Sequence, residues 1–231
     1  MKYRCALLYT FWFSVAAALF LSATGTVWAV DDAGPVCGTG SNVAICFASI
    51  DQRGKLDPAQ RQTLARVGVQ AIDIISSPDF ERELTAFYRT YDWRSRDAEH
   101  QGYWRDFNPG EAAARTRESF NGLHIETKGG VRAWFGAKLL GNLAYEGDTR
   151  ADGTRNIRLN RNRIDRSIPE LINTYVHEGG HKAGYRHRAS QNDDQKCEPP
   201  YIMGQIAQKL ADPSGWAAFA KTRNACSYWR E

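Results

Sequence analysis

Two stretches near the start of the chain carry apolar residues at a helical period. In "LDPAQRQTLARVGVQAIDIIS" (56–76), Leu64, Val67, Ala71, Ile74 and Ile75 fall on one face. Asp57 stands where an N-cap belongs, with Pro58 at the first helical position. "SSPDFERELTAFYRTYDW" (76–93) repeats the arrangement with Ser77 and Pro78, turning Phe80, Leu84, Phe87 and Tyr88 inward. Both predict scaffold helices without chemistry of their own. Residues 100–165 change period. After a short helix around Glu111 to Phe120, "GLHIETKGG" (122–130), "VRAWFGAKLLGNLAYEG" (131–147) and "RNIRLNRNRI" (155–164) alternate partially and break at Gly, Asp and Asn, which predicts strands. The polar "EGDTRADGTRN" (146–156) reads as a turn between two of them. Its Asp148 and Asp152 lack the ligand-rich spacing of a calcium loop. "SIPELINTYVHEGGHKAG" (167–184) returns to helix, opened by a Ser167–Glu170 capping box, with Leu171, Ile172, Tyr175 and Val176 on its apolar side. A last helix is expected in "DPSGWAAFAKTRNACSYW" (212–229), while residues 30–55, rich in Gly, Asp and Ser, read as a loop-like lead-in.

Composition changes the picture mainly at the N-terminus. A chain of 231 residues, 42% hydrophobic and 24% charged, suits one ordinary globular domain. Lys2 and Arg4 precede an uncharged, largely apolar run from Cys5 to Val27, and Val27-Trp28-Ala29 offers a cleavage site. That order predicts a secretory signal peptide over 1–29 and a single domain over 30–231. An uncleaved membrane anchor is the alternative, because the run is nearly long enough to span a bilayer. Removing the segment takes away two positive charges and no acid, so the net charge falls from +4 to +2. So weak a balance argues against nucleic acid or an anionic membrane surface as partner. The expected location is secreted or periplasmic, with no stable membrane insertion after cleavage.

Four cysteines then remain, Cys37, Cys46, Cys197 and Cys226. An even count behind a signal peptide reads as two disulfides formed in an oxidising compartment. Of the three connectivities, Cys37–Cys46 and Cys197–Cys226 join nearest neighbours and tie down one terminus each. The alternative is a free thiol that ligates a metal.

The chemistry concentrates in "YVHEGGHKAGYRH" (175–187), which holds three of the five histidines. His177 and His181, four apart on a helix, stand one turn above the other on the same face. Glu178 follows the first histidine, placed to reach a water at the metal without ligating it, and H-E-x-x-H is the sequence form of a zinc site with a general base. Gly184 can take a positive φ and end the helix, which frees His187 to swing back as a third ligand. Three neutral imidazoles leave one coordination position open, as catalytic zinc sites do. Gly179 and Gly180 each cost roughly 1 kcal/mol inside a helix relative to alanine. Metal ligation by the flanking histidines, or close approach of a neighbouring backbone, would offset that. His100 and His124 lie outside the cluster and read as structural or surface residues.

"HEGGHKAGYRH" (177–187) resembles the metzincin clan of zinc metallopeptidases, matching its H-E-x-x-H-x-x-G-x-x-H signature at every defined position. The clan also carries a methionine turn beneath the zinc. Met203, in "CEPPYIMGQ" sixteen residues after His187, is the only methionine besides the initiator, and the double proline and Gly204 suit a tight turn. The resemblance implies an α+β fold, a metzincin-like zincin domain with a mixed twisted sheet, an active-site helix and a small C-terminal subdomain. It implies Zn2+ held by His177, His181 and His187, with Glu178 as general base and proton carrier to the leaving amine. It implies an edge strand that receives an extended peptide, for which "RNIRLNRNRI" is the counterpart. A tyrosine often assists in this clan, and Tyr201 and Tyr185 are the candidates, though packing explains either. Arg188 occupies a position where the well-known subfamilies carry other residues, so no subfamily is assigned, and no propeptide is evident.

The leading expectation is an exported zinc endopeptidase acting on a peptide or protein substrate. A zinc amidase acting on peptidoglycan peptides uses the same chemistry and is not separated from it by the motif. A binding protein that keeps zinc without turnover is the third class, and Glu178 argues against it. Trp93, Trp104 and Trp134 could line a cleft, with core packing the plainer reading.

Overall fold

The computed structural model of the protein describes residues 36–38, 45–47, 49–50, 56–128, 144–146, 156–189 and 193–230. The expected signal segment (1–29), Asp148, Asp152 and Trp134 lie outside them. Three short strands stand where a loop was expected: β1 (Val36–Gly38), β2 (Ile45–Phe47) and β3 (Ser49–Ile50). At two or three residues each, they are too short to show a period. β1 and β2 pair antiparallel with the backbone of Cys37 opposite that of Cys46. The proposed bond between those cysteines rests on side chains outside the described ones.

Two helices form where their caps predict them. α1 (Pro58–Ile75) is opened by Asp57, whose carboxylate accepts the Gln60 N–H at 2.8 Å, and α2 (Pro78–Thr90) by Ser77. Leu64, Val67, Ala71, Ile72 and Ile75 of α1 and Phe80, Leu84 and Phe87 of α2 are buried, as a 3.6-residue period requires. Each of the larger ones contributes about 1.5–3 kcal/mol by leaving water. Two more helices follow, α3 (Ala98–Trp104), which the sequence pattern did not suggest, and α4 (Pro109–Ser119). Trp93 and Trp104 are core residues, with Trp104 fully buried beside Phe87 and Phe107.

The sheet is small and mixed. β4 (His124–Lys128) pairs parallel with β3 on one side and with β6 (Asn156–Asn160) on the other, and β5 (Ala144–Glu146) adds antiparallel to β6. The order is β3-β4-β6-β5. This corrects one expectation: "RNIRLNRNRI" is not an edge strand, because β6 is paired on both sides. Among the described residues β3 and β5 are the outer strands. A 3-10 turn at Arg161–Arg163 leads from β6 into α5 (Ile168–Lys182), the helix of the first two histidines. At its start the Glu170 carboxylate accepts from Ser167 N–H at 3.1 Å and from its hydroxyl at 2.8 Å.

A second correction concerns Met203. The "PPYIMGQ" stretch is helical, the first two turns of α6 (Pro199–Ala211), and Met203 lies within the helix rather than in a turn. Pro199 and Pro200 occupy the first turn, where a missing N–H costs nothing, so a pair that reads as a turn signal here starts a helix. α7 (Pro213–Ala220) follows, capped by Asp212. α5 packs along α6 and also against α1 and α4. Ile202, Met203, Ile206 and Cys226 join the same core as Leu171, Ile172, Tyr175 and Val176. Cys197 and Cys226 are bonded, Sγ to Sγ at 2.01 Å, closing the C-terminal segment onto the start of α6. No helix among the described residues is long and apolar enough to cross a membrane.

The two glycines in α5 have a packing cause. A Cβ on Gly179 would press into the edge of the Phe120 ring, 2.9 Å from its Cζ, and one on Gly180 would meet Met203 Cε at 2.6 Å. The sequence left open metal ligation or the close approach of a neighbouring backbone; what presses on the bare helix is instead side chains, from α6 and from the end of α4. Ser119 adds to it, its hydroxyl donating to the Gly179 carbonyl at 3.0 Å. Met203 therefore lies beneath the histidine helix, although not in a turn.

Candidate metal centre

α5 delivers His177 and His181 on one face, and its ending delivers His187. The helix closes with Gly184 at φ 98°. The Tyr185 N–H donates to the Gly180 carbonyl at 3.0 Å and the Gly184 N–H to the His181 carbonyl at 3.0 Å. That pair of bonds is a Schellman closure, which needs a left-handed residue and finds it in glycine. The chain then reverses and brings His187 back. The ring centroids of His177, His181 and His187 are separated by 4.8, 5.2 and 4.7 Å. One ring nitrogen from each lies within 4.8 Å of the others, close enough for one cation to touch all three.

Each ring is turned by a backbone carbonyl. His181 Nδ1 lies 2.9 Å from the Tyr185 oxygen, and His187 Nδ1 lies 2.8 Å from the Arg188 oxygen. A carbonyl only accepts, so His181 Nδ1 carries the proton and its Nε2 lone pair is left for a metal. His187 Nδ1 sits between the Arg188 carbonyl and the Gln195 amide nitrogen, 3.0 Å away. His177 bonds the backbone of Pro200, which has no N–H, so the partner there is again a carbonyl. Burial holds the His177 imidazole well below the usual histidine range, and the neighbouring His181 and His187 lower it further. Imidazoles gathered together and held by backbone groups are what a metal ligand set requires, so the residues fit the ion.

Glu178 is 6% exposed, next to His177 in the chain. Of the two candidate tyrosines, only Tyr201 brings its ring to the site, 4.4 Å from the His177 ring and 4.7 Å from that of His187. Burial pushes its phenol up to about 12, with the Glu178 and Glu198 carboxylates adding to the shift. It therefore remains a hydrogen-bond donor across the neutral range. The Tyr185 ring packs on Phe107, 5.4 Å between centroids, and contributes only its carbonyl.

Behind His187 lies a charged network that the sequence reading missed. Arg188, 7% exposed, donates its backbone N–H to Glu198 Oε2 at 2.7 Å and its Nε–H to Glu198 Oε1 at 2.6 Å. Its outer nitrogens reach Asp97 at 3.2 and 3.3 Å. Burial works against the guanidinium charge, but hydrogen bonds to Glu198 and Asp97 prevail and hold it above the usual arginine range. The fully buried His100 places Nδ1 3.2 Å from Glu198 and Nε2 3.0 Å from the Tyr91 hydroxyl, a structural role as expected. The only sequence signal was Arg188 itself, directly after a ligand. Comparison with protein families, with curated proteins and with solved structures found no match.

Proposed function

We propose that the chain is a metal-dependent hydrolase of amide bonds. More particularly, it is an exported zinc endopeptidase that resembles the metzincins in its site. The observation that carries this reading is the convergence of three oriented imidazoles with Glu178 beside the first and the Tyr201 ring across two of them. Three imidazole ligands with an open position suit zinc, and a carboxylate next to them suits hydrolysis rather than storage or structure. When bound, zinc supplies a Lewis acid for the scissile carbonyl and an acidified water. Glu178 takes a proton from the attacking water and returns it to the departing amine. Tyr201, protonated at neutral pH, donates a hydrogen bond to the oxygen on which charge develops. An extended peptide adding to the sheet has an outer strand, β3 or β5, as its template, since β6 is already paired twice. The Cys197–Cys226 bond agrees with an oxidising compartment.

Metal content and cleavage of a mixed peptide library, read side by side for wild type and Glu178→Ala, test the reading. One zinc per chain in both proteins, with cutting by wild type alone, is expected. Zinc in both without cutting of any peptide refutes the endopeptidase, and peptidoglycan peptides become the substrate to try. Equal activity in both proteins refutes Glu178 as the base.

A further inference from the structure

Resting on the metal-centre reading, we propose that Glu198 and Arg188 are positioning residues that set the rotation of two of the three ligand rings. Glu198 is fully buried and directly precedes α6. There its carboxylate meets three donors: Arg188 N–H, Arg188 Nε–H and His100 Nδ1. The two bonds hold Arg188, the residue directly after His187, by its N–H and its side chain. The Arg188 carbonyl lies 2.8 Å from His187 Nδ1, and Gln195 Nε2 stands 2.7 Å from the same oxygen and 3.0 Å from the same ring nitrogen. Two residues beyond Glu198, the Pro200 carbonyl orients His177. One carboxylate therefore fastens the loop carrying one orienting carbonyl to the helix start carrying another. Asp97 braces the far edge of the guanidinium while its carboxylate also accepts the His100 N–H at 2.9 Å.

A buried ion pair is weak evidence of stability, because apolar residues of similar volume often serve as well. What an apolar pair cannot supply is the fixed direction of the Arg188 carbonyl. A planar fork also cannot be replaced by the ammonium of lysine, which lacks Nε–H geometry. Partners of this kind typically change metal affinity 10–100-fold.

The test compares wild type with Glu198→Gln, Arg188→Lys and Asp97→Asn. It reads the zinc dissociation constant by competition with a chromophoric chelator, the visible spectrum of the cobalt(II)-loaded protein, and the melting temperature of the metal-free protein. Lys209→Met, which breaks the distant Lys209–Glu83 bridge, serves as control. Zinc binding 10–100-fold weaker in Glu198→Gln and Arg188→Lys, with an altered cobalt spectrum and an unaffected control, is the expected result. Wild-type affinity and spectrum in variants that fold, or lowered melting alone, overturn the proposal. If the two buried variants fail to fold, the half-exposed Asp97→Asn decides: about threefold weaker binding supports the brace, and unchanged binding overturns it. Wild type that takes up no metal refutes the metal-centre reading first, and the positioning role falls with it.

Discussion

Gly179→Ala and Gly180→Ala place the same methyl group at adjacent positions of the histidine helix, and the structure predicts different outcomes. Both substitutions gain about 1 kcal/mol of helix propensity. At Gly179 the new Cβ meets the ring of Phe120, with Cζ at 2.9 Å and Cδ2 at 3.2 Å, and Phe120 is fully buried. Carbon atoms sit comfortably at about 3.5–4.0 Å, so the ring edge would have to retreat by roughly 1 Å into packed core. Overpacking of a rigid site costs about 1–3 kcal/mol, and an aromatic ring with no free rotamer lies toward the upper end. The net effect is a loss of about 1–2 kcal/mol. At Gly180 the collision is with Met203 Cε at 2.6 Å, the end of a flexible side chain, and the next neighbours, Pro200 Cα and Cβ, stand at 3.5 and 3.6 Å. A thioether methyl swings aside at small cost, so Gly180→Ala is expected within about 0.5 kcal/mol of wild type. Urea denaturation of the metal-free proteins, followed by tryptophan fluorescence, measures both at constant slope. A Gly179→Ala protein as stable as wild type, or a Gly180→Ala protein less stable than Gly179→Ala, would refute the packing argument.

Further outcomes follow from the same contacts. Tyr201→Phe should lower kcat on a cleaved peptide by about 10²–10³-fold while zinc content stays at the wild-type level, and an unchanged kcat removes the tyrosine from the mechanism. The Cys197→Ala/Cys226→Ala double variant opens a loop with a sequence separation of 29 residues. Chain entropy puts its cost at about 3.6 kcal/mol in denaturant unfolding, and a loss below about 1 kcal/mol contradicts that origin. Asp212 is held below the ordinary carboxylate range by the Gly215 N–H and the Ser214 hydroxyl. With its folded pKa lower than its unfolded one, its stabilisation is full above the unfolded value and is lost as pH falls through the folded value. Melting curves from pH 5 to pH 2.5 should fall more steeply for wild type than for Asp212→Asn, and parallel curves would exclude the cap as the cause.

What was legible in the sequence was local. Asp57, Ser77 and Ser167 open helices because a cap and its first turn lie within four residues, and Gly184 ends one for the same reason. The histidine cluster was visible because helix geometry alone places His177 and His181 together. Partners distant in the chain were not visible. Arg188 meets Asp97 across 91 residues, and nothing in either neighbourhood announces the pair. β6 looked like an edge because a strand's own residues do not say how many neighbours it has. Yet Ile157, Leu159 and Asn160 are all buried, which the polar flanks concealed. The double proline misled for a physical reason: proline suits a turn and the first turn of a helix equally. Gly179 and Gly180 marked a close approach, although only the fold reveals that Phe120 and Met203 make it.

The most direct measurement is zinc uptake by the purified protein beside a variant with His177, His181 and His187 all changed to alanine, read by elemental analysis and by X-ray absorption at the zinc edge. The account predicts one zinc per chain in wild type, with a first shell of imidazole nitrogens, and none in the variant. Zinc absent from wild type, or retained in equal amount by the variant, would contradict it.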